Sequence, residues 1–276
     1  MQKYSKIIGV IGGAGPDAAV DFQRQLFKQM KLQLNAALDQ EHYRVIVDNY
    51  TDMPDRAIGY LGKGMSPLPH MIATAKNLEN LGCSVIAYPC NTAHVYLADI
   101  SDAVNIPMLD MTKITVDSIS EKYNDGAKVG LLCTDLTKNT KLYDNSGFAT
   151  IYPDAEHQAL VMQAIFAAKA GYTDTGISSA LVRGKVKQYL LKSKNYDEHS
   201  FDFSLSSSEI LINASKNLIT KGANIIIMGC TEIPLCISEN DLMNSLKVDV
   251  VNPTVELAKA TLNKVITNEM KLAISS

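Results

Sequence analysis

Two cysteines in similar surroundings are the residues of this chain best suited to chemistry. Cys90 follows an apolar run that ends at Pro89, and Cys230 follows an apolar run that ends at Gly229. In both places small polar residues follow, with a threonine within two positions. Each cysteine therefore stands at a predicted strand-to-helix corner, where helix amides favour a thiolate. We expect the fold to bring these two thiols face to face.

Two thiols on opposite sides of one carbon could invert that carbon. One, as a thiolate, would remove a proton, and the other, as a thiol, would return a proton to the opposite face. The α-hydrogen of an amino acid is weakly acidic, so amides and hydroxyls aimed at the carboxylate would have to stabilise the carbanion. Asn91, Thr92 and Thr231 are next to the thiols and fit that role.

Other interpretations of the cysteines stay open at this point. Buried cysteine is common as a small core residue, and we assign Cys83, Cys133 and Cys236 to the core. A single thiol could also act as a covalent nucleophile, but no convincing Cys–His–Asp set is present. His94 is close enough to Cys90 to tune it or to serve packing only.

Length and composition limit the class of protein. A chain of 276 residues predicts about two domains. A net charge of −3 gives no reason to expect nucleic acid or a membrane surface as a partner. The apolar run at residues 7–11 is too short for a signal peptide, so we expect a cytoplasmic protein without membrane spans.

The cysteine and histidine patterns predict neither disulfides nor a metal site. The cysteine count is odd and the chain has no Cys-x-x-Cys pair. The five histidines are scattered, and none has metal-ligand spacing with a cysteine.

The order of predicted elements indicates two related α/β halves. Residues 6–17 read as a strand, a glycine turn at Gly12 and Gly13, and the start of a helix. Residues 128–134 resemble that opening, with Gly130 at the position of Gly9. The glycine turn could simply close a strand–helix corner, and it lacks the full dinucleotide-binding fingerprint.

Alternation of strands and helices predicts parallel sheets covered by helices on both faces. Ligands bind at the carboxyl ends of the strands in such folds. The residues at predicted strand exits are Gly13, Asn49, Cys90, Thr134 and Cys230. They come from both halves, which predicts a site between the domains.

Further polar residues could complete such a site. Arg56, in a polar loop, could hold a carboxylate with two hydrogen bonds, or could be a solvated or capping residue. The hydroxyls of Thr134 and Thr137 could line a carboxylate site. Lys169, in the last turn of a predicted helix, could belong to the site or could only complement the helix dipole. The polar stretch 195–208 is expected to be a surface loop, either solvated or acting as a lid.

Five motifs together resemble the aspartate/glutamate racemase family. They are Gly-Gly-Ala-Gly-Pro at 12–16, Pro-Asp-Arg at 54–56, Pro-Cys-Asn-Thr-Ala-His at 89–94, Lys-Ala-Gly at 169–171 and Gly-Cys-Thr-Glu at 229–232. The two cysteine motifs are the specific part, and the order of the motifs matches over nearly the whole chain.

The resemblance implies a fold and an organisation. It implies two similar three-layer α/β/α domains with mainly parallel sheets and an active site in the interdomain cleft. The final segment is expected to pack on the first domain, giving domains of 1–114 with 236–276, and 115–235. A homodimer is expected, as are a small-molecule amino-acid substrate and no cofactor.

The resemblance also implies residue roles in racemisation of aspartate or glutamate. Cys90 and Cys230 would be the catalytic bases. The substrate-binding residues would be Gly13, Asn49, Arg56, Asn91, Thr92, Thr134, Thr137, Lys169, Thr231 and Glu232. Relatives with one catalytic cysteine decarboxylate malonates or isomerise dicarboxylic acids, and a non-catalytic binder of acidic metabolites is a third reading. The presence of both cysteines favours racemisation.

Overall fold

The computed structural model describes residues 4–123, 126–144, 147–192 and 195–275, without the side chains of residue 268 and residues 270–275. Its strands are β1 (Ile7–Gly12), β2 (Arg44–Asn49), β3 (Val85–Ala87), β4 (Lys128–Cys133), β5 (Ala149–Ile151), β6 (Ile225–Gly229) and β7 (Asp249–Val251).

The α-helices alternate with these strands along most of the chain. They are α1 (Pro16–Leu34), α2 (Arg56–Tyr60), α3 (Leu68–Asn80), α4 (Leu97–Ser101), α5 (Met111–Lys122), α6 (Asp135–Asn139), α7 (Ala155–Lys169), α8 (Ala180–Leu191), α9 (Ser207–Thr220), α10 (Ile233–Cys236), α11 (Glu239–Leu246) and α12 (Pro253–Ser275). A 3₁₀ helix, Asn91–Tyr96, precedes α4.

The first sheet is parallel, with strand order β2-β1-β3. Its central strand β1 reads as a continuous apolar run because helices cover both faces. Ile8 and Val10 pack against α1 and α12, whereas Ile11 points to the opposite face and packs with residues of α3. The result is a three-layer arrangement around one buried strand.

The second sheet is also parallel, with strand order β5-β4-β6-β7. Leu132 on β4 and Ile226 on β6 pack with residues of α7 and α9. Leu131 and Ile227 lie on the other face and pack with Ile119 of α5. The alternation of these side chains between two apolar layers follows from the two-residue period of a strand.

The two sheets share one plan. In the first sheet the central strand β1 has β2 on one side and β3 on the other. In the second sheet β4 has β5 on one side and β6 on the other. A single parallel bridge from Ile86 to Met108 occupies the position that β7 takes in the second sheet. The predicted α/β fold with two parallel sheets is therefore confirmed.

The chain divides into two compact units that differ in extent from the expected domains. The first unit comprises residues 1–115 and 253–276, and the second comprises residues 116–252. The expected boundary assigned residues 236–252 to the first domain, and this was wrong. β7 pairs with β6, and Leu242 and Val250 are buried in the core of the second sheet. Only α12 returns to the first unit, where it packs with α1.

A search of the described ranges found no helix with the length and apolar character that crossing a membrane requires.

Substitution of Gly130 tests the packing of helix α9 on the second sheet. A methyl group at this position would lie 2.8 Å from Ile226 Cδ1 and 3.0 Å from the Cβ atoms of Ala223 and Leu218. We expect Gly130→Ala to lower the free energy of unfolding by about 1–3 kcal/mol through overpacking, measured as a lower urea midpoint. Gly184→Ala, in α8 with open space around it, is the matched control and should stabilise by about 0.5–1 kcal/mol. Equal effects of the two changes would contradict this packing.

Candidate active site

The carboxyl ends of β1 and β2 form one corner of the first unit. Gly12 pairs in register with Asn49, and the Asn49 side chain lies against the Gly12 Cα, where a methyl group would collide with Oδ1. Gly13 has φ 83° and lies against the backbone of Tyr50. A side chain at either glycine would disturb this corner, so the predicted strand-exit residues Gly13 and Asn49 do lie side by side.

Cys90 stands at the corner after β3, as the sequence predicted. It precedes the 3₁₀ helix, and its thiol is 7% exposed within a cluster that includes Ala14, Met53 and Tyr88. Asn91 is 2% exposed, and Thr92 is half-buried. Cys90 and Ala14, in the turn after β1, therefore belong to the same buried cluster.

His94 holds the backbone of Cys90 in place. Its Nδ1 lies 2.9 Å from the carbonyl oxygen of Cys90, and its Nε2 accepts a hydrogen bond of 2.9 Å from the amide of Met111. Burial lowers the pKa of His94, despite a nearby carboxylate at Asp110 that raises it. The ring is therefore neutral, with its proton on Nδ1, and it donates to a carbonyl. Beside the two roles considered, tuning of Cys90 and packing only, the geometry gives His94 a third, the positioning of the Cys90 backbone.

Arg56 begins α2, directly after Asp55, which caps the helix by accepting from the Ile58 amide at 2.8 Å. The Arg56 carbonyl accepts a hydrogen bond from the Tyr96 hydroxyl at 3.2 Å. Burial raises the pKa of Tyr88, and the charge on Cys90 raises it further, whereas Arg56 lowers it. Both Cys90 and the Arg56 guanidinium therefore act electrostatically on one buried phenol.

The second thiol is part of a polar group at the carboxyl end of β6. Cys230 is 5% exposed, and its Sγ donates to Glu232 Oε2 over 2.9 Å. The Thr231 hydroxyl is 3.4 Å from the same oxygen. The other carboxylate oxygen of Glu232 forms an ion pair with Lys169 at the end of α7.

Burial raises the pKa of Cys230 well above its ordinary value, and the negative charge of Glu232 raises it further. The Lys169 ammonium acts in the opposite direction. The side chain of Glu232 is 4% exposed and that of Lys169 is 27% exposed. A buried carboxylate needs such a partner. The arrangement holds Cys230 as a thiol whose proton points at a carboxylate.

Thr134 and Thr137 lie at the end of the neighbouring strand β4. Cys133 pairs in register with Gly229, so Thr134 and Cys230 begin adjacent corners. Thr134 caps α6, and its hydroxyl lies 3.1 Å from that of Thr137. Thr137 is fully buried, whereas Thr134 is half-buried. Of these two predicted ligands, Thr134 is the more exposed, and the buried Thr137 hydroxyl lies within hydrogen-bond distance of the Thr134 hydroxyl.

The structure thus groups the predicted residues within each unit, with one arrangement that the sequence did not indicate. Lys169 and Glu232 were both predicted as substrate contacts. Here they bind each other, and Glu232 also accepts from the Cys230 thiol. A glutamate two positions after a thiol at a strand exit was the available signal for this contact. Tyr88 was missed as well, because an aromatic residue at the end of an apolar run is typical of a core.

Among the described residues, no group of three or more His, Cys, Asp or Glu side chains is arranged to hold a metal ion.

Comparison with known proteins agrees with the motifs. A sequence model of the Asp/Glu/Hydantoin racemase family matches residues 11–188, which is more than half of the chain. The chain belongs to the Asp/Glu/Hydantoin racemase family. The predicted family resemblance is confirmed, and membership supports amino-acid racemisation, an isomerase activity.

Relatives of this racemase include enzymes described for several amino acids. The "Broad specificity amino-acid racemase RacX" of Bacillus subtilis (strain 168) is 28% identical over 160 residues, which are 56% of this chain and 67% of that protein. The aspartate racemase of Picrophilus torridus superposes with a TM-score of 0.67 at 23% identity, covering 95% of this chain and 94% of that one.

More distant structures share the fold alone. A glutamate racemase from Francisella tularensis subsp. tularensis SCHU S4, in complex with D-glutamate, has a TM-score of 0.52 at 17% identity, covering 96% of this chain and 82% of that one. Aspartate and glutamate racemases both occur among the similar structures.

Glu232→Gln tests the electrostatic control of Cys230. A negative charge raises the pKa of a neighbouring thiol, so its removal should lower the pKa of Cys230, and the Lys169 charge left behind acts in the same direction. We expect the midpoint of the pH dependence of Cys230 alkylation to move to lower pH. The rate of alkylation is measured on the Cys230 peptide by mass spectrometry.

Glu239→Gln, which removes a carboxylate from the N-terminal turn of α11, serves as the control and should leave that midpoint in place. A midpoint that Glu232→Gln does not move, or moves to higher pH, would contradict the assigned contact.

Proposed function

We propose that this protein racemises an acidic amino acid, aspartate or glutamate or both, by transferring protons at the α-carbon between two thiols. Cys90 and Cys230 are the two catalytic groups. The observation that carries the proposal is the hydrogen bond from the Cys230 thiol to Glu232. It provides a proton donor at a parallel-sheet corner, while the corresponding corner of the other unit carries a second thiol.

The reaction needs one thiolate and one thiol on opposite faces of the substrate. In the free enzyme Cys230 is protonated and is the acid, and Cys90 acts as the thiolate. Cys90 removes the α-proton and becomes a thiol, leaving a carbanion. Cys230 gives its proton to the opposite face and becomes a thiolate. One proton leaves carbon and one arrives, so the centre is inverted and the bonds balance.

The two charge states of the enzyme are unequal in this scheme. A Cys230 thiolate would lie next to the Glu232 carboxylate, and the Lys169 ammonium acts against this repulsion. The form with Cys230 protonated is therefore favoured. After a turnover that leaves the thiolate on Cys230, Cys90 must release its proton and Cys230 must regain one, through water or by the reverse reaction, before the next cycle.

Hydrogen-bond donors would stabilise the carbanion by holding the substrate carboxylate. Asn91, Thr92 and Thr231 supply amide and hydroxyl groups next to the two thiols, whereas Thr134, on the neighbouring strand end, would bind the carboxylate equally in the substrate and in the carbanion. Gly13 and Asn49 form the corner at the end of β1. Removing one such donor typically costs a factor of about 10²–10³ in rate.

An acidic side chain on the substrate would be recognised by cations. The Arg56 guanidinium can bind a carboxylate with two hydrogen bonds. Lys169 is 27% exposed beside its ion pair with Glu232, so its ammonium could contact both carboxylates. We further propose that the enzyme works without a cofactor, as a cytoplasmic homodimer.

Substrate class is tested by incubating the purified protein with single enantiomers of amino acids and separating the products by chiral chromatography. We expect aspartate or glutamate, offered in either form without added pyridoxal phosphate, to yield its mirror image, and faster than alanine or lysine. Malonates and maleate are included as competing substrates. Carbon dioxide or fumarate in place of a D-amino acid would contradict the proposal, as would tight aspartate binding without turnover.

The two-thiol assignment is tested with Cys90→Ser and Cys230→Ser. A serine hydroxyl cannot replace a thiolate as a base at neutral pH, so each change should lower the racemisation rate by at least about 10²-fold. Cys83→Ala, at a buried cysteine that packs against Gly9, is the matched control and should keep the wild-type rate. Full activity in either serine variant would refute the assignment.

A further inference from the structure

The polar segment at residues 195–206 is anchored to the second unit by an aromatic face. Phe201 and Phe203 pack with buried Ile177, Val186 and Leu190. The sequence left open a solvated loop or a lid. Asp197, Glu198 and Asp202 are exposed, as in a surface loop, but the two aromatic side chains anchor the segment.

Backbone contacts hold the same segment on the side of α7. Gln163, which is 1% exposed, donates from Nε2 to the carbonyl of Asp202 at 2.6 Å. The carbonyls of Phe203 and Ser204 lie against Gly176, where a Cβ atom would collide with them. The segment is therefore packed onto the second unit and is held there by Gln163 and by the close approach to Gly176.

The segment reaches the candidate active site through Asp135, the first residue of α6. The Tyr196 hydroxyl lies 2.7 Å from Oδ1 and 2.8 Å from Oδ2 of Asp135. Gln158 Nε2 donates to Asp135 Oδ1 at 3.1 Å and to the Cys133 carbonyl at 3.0 Å. Asn195 Nδ2 is 3.3 Å from Oδ2. The carboxylate is thus surrounded by donors from the segment and from α7.

The hydrogen bond between Tyr196 and Asp135 is strong, because its acceptor is a carboxylate. Burial raises the pKa of Tyr196, and the negative charge of Asp135 raises it further, so the phenol stays protonated and donates. A hydrogen bond from a neutral donor to a carboxylate is stronger than one between neutral groups.

Helix α6 needs support of this kind. It spans only Asp135–Asn139, a single turn, and isolated helices of that length are unstable in water. Yet α6 carries Thr137 and is capped by Thr134, the two hydroxyls of the candidate carboxylate site. Something outside the helix has to fix the turn if those hydroxyls are to stay in place.

We propose that Tyr196 and Asp135 are positioning residues: their hydrogen bond fastens α6 to the polar segment and thereby holds the Thr134 hydroxyl for the substrate carboxylate. The role in substrate binding rests on the function proposed above. The fastening of α6 itself does not, and it can be measured without any substrate.

The test compares Tyr196→Phe, which keeps the ring and its packing, with Asp135→Ala and with the double variant. The first readout is hydrogen–deuterium exchange of peptides covering residues 134–142 in the protein without substrate. Both single variants should speed exchange there by about tenfold, because the bond that opposes local opening is lost. The double variant should add little to Asp135→Ala, because the aspartate is then already lost as the partner of Tyr196.

The second readout is kinetic and uses the preferred acidic amino acid. Loss of an interaction that binds substrate and transition state equally raises KM and leaves kcat in place. We expect KM to rise about five- to tenfold in Tyr196→Phe, with kcat within about twofold of wild type. Glu198→Gln is the matched control, because it removes an exposed ion pair with Lys187 from the same segment, and it should change neither readout.

The outcomes separate the two proposals. Unchanged exchange at residues 134–142 in Tyr196→Phe and Asp135→Ala would overturn the fastening, whatever the activity. Faster exchange with an unchanged KM would overturn the role of α6 in binding the carboxylate. A wild-type protein that racemises no amino acid would refute the proposed function, while the exchange measurement would still decide whether Tyr196 holds α6.

Discussion

The hydrogen bond from the Cys230 thiol to the Glu232 carboxylate is the interaction on which the proposed chemistry of this protein depends. A carboxylate that is 4% exposed is costly to bury unless it is paired. Lys169 supplies the pair from the last turn of α7. The packing of α7 and α9 on the second sheet is therefore also what holds the ammonium next to the carboxylate.

The second unit repeats the backbone plan of the first but changes the polar partner of the thiol. In the first unit a neutral His94 binds the backbone carbonyl of Cys90. In the second unit Glu232, which is paired with Lys169, accepts a hydrogen bond directly from the Cys230 thiol. Two similar corners thus place different side chains against their cysteines, which fits the one acid and one base of the proposed reaction.

The sequence predicted the features that repeat and missed those that depend on tertiary contacts. The glycine turns and the two strand–cysteine corners could be located because local backbone rules govern them. The last strand could be predicted, but its pairing with β6 could not, since a strand of three residues, Asp249–Val251, does not indicate which sheet it joins.

The same limit applies to the site. Lys169 and Glu232 are 63 positions apart in the chain, and nothing local indicates that they pair. Tyr196 and Asp135 are 61 positions apart, and the composition of the stretch around Tyr196 suggested solvent exposure. The aromatic residues inside that stretch, Phe201 and Phe203, were the overlooked sign of burial.

The central claim is that separate thiols remove and return the α-proton, and isotope transfer early in the reaction tests it most directly. A single enantiomer of the preferred acidic amino acid is incubated in D₂O, and deuterium at the α-carbon is measured separately in the product and in the remaining substrate. With two bases, the product carries deuterium from the first turnover and the remaining substrate keeps its protium. Deuterium that enters the remaining substrate as fast as the product would show that one group serves both faces, and would contradict this account.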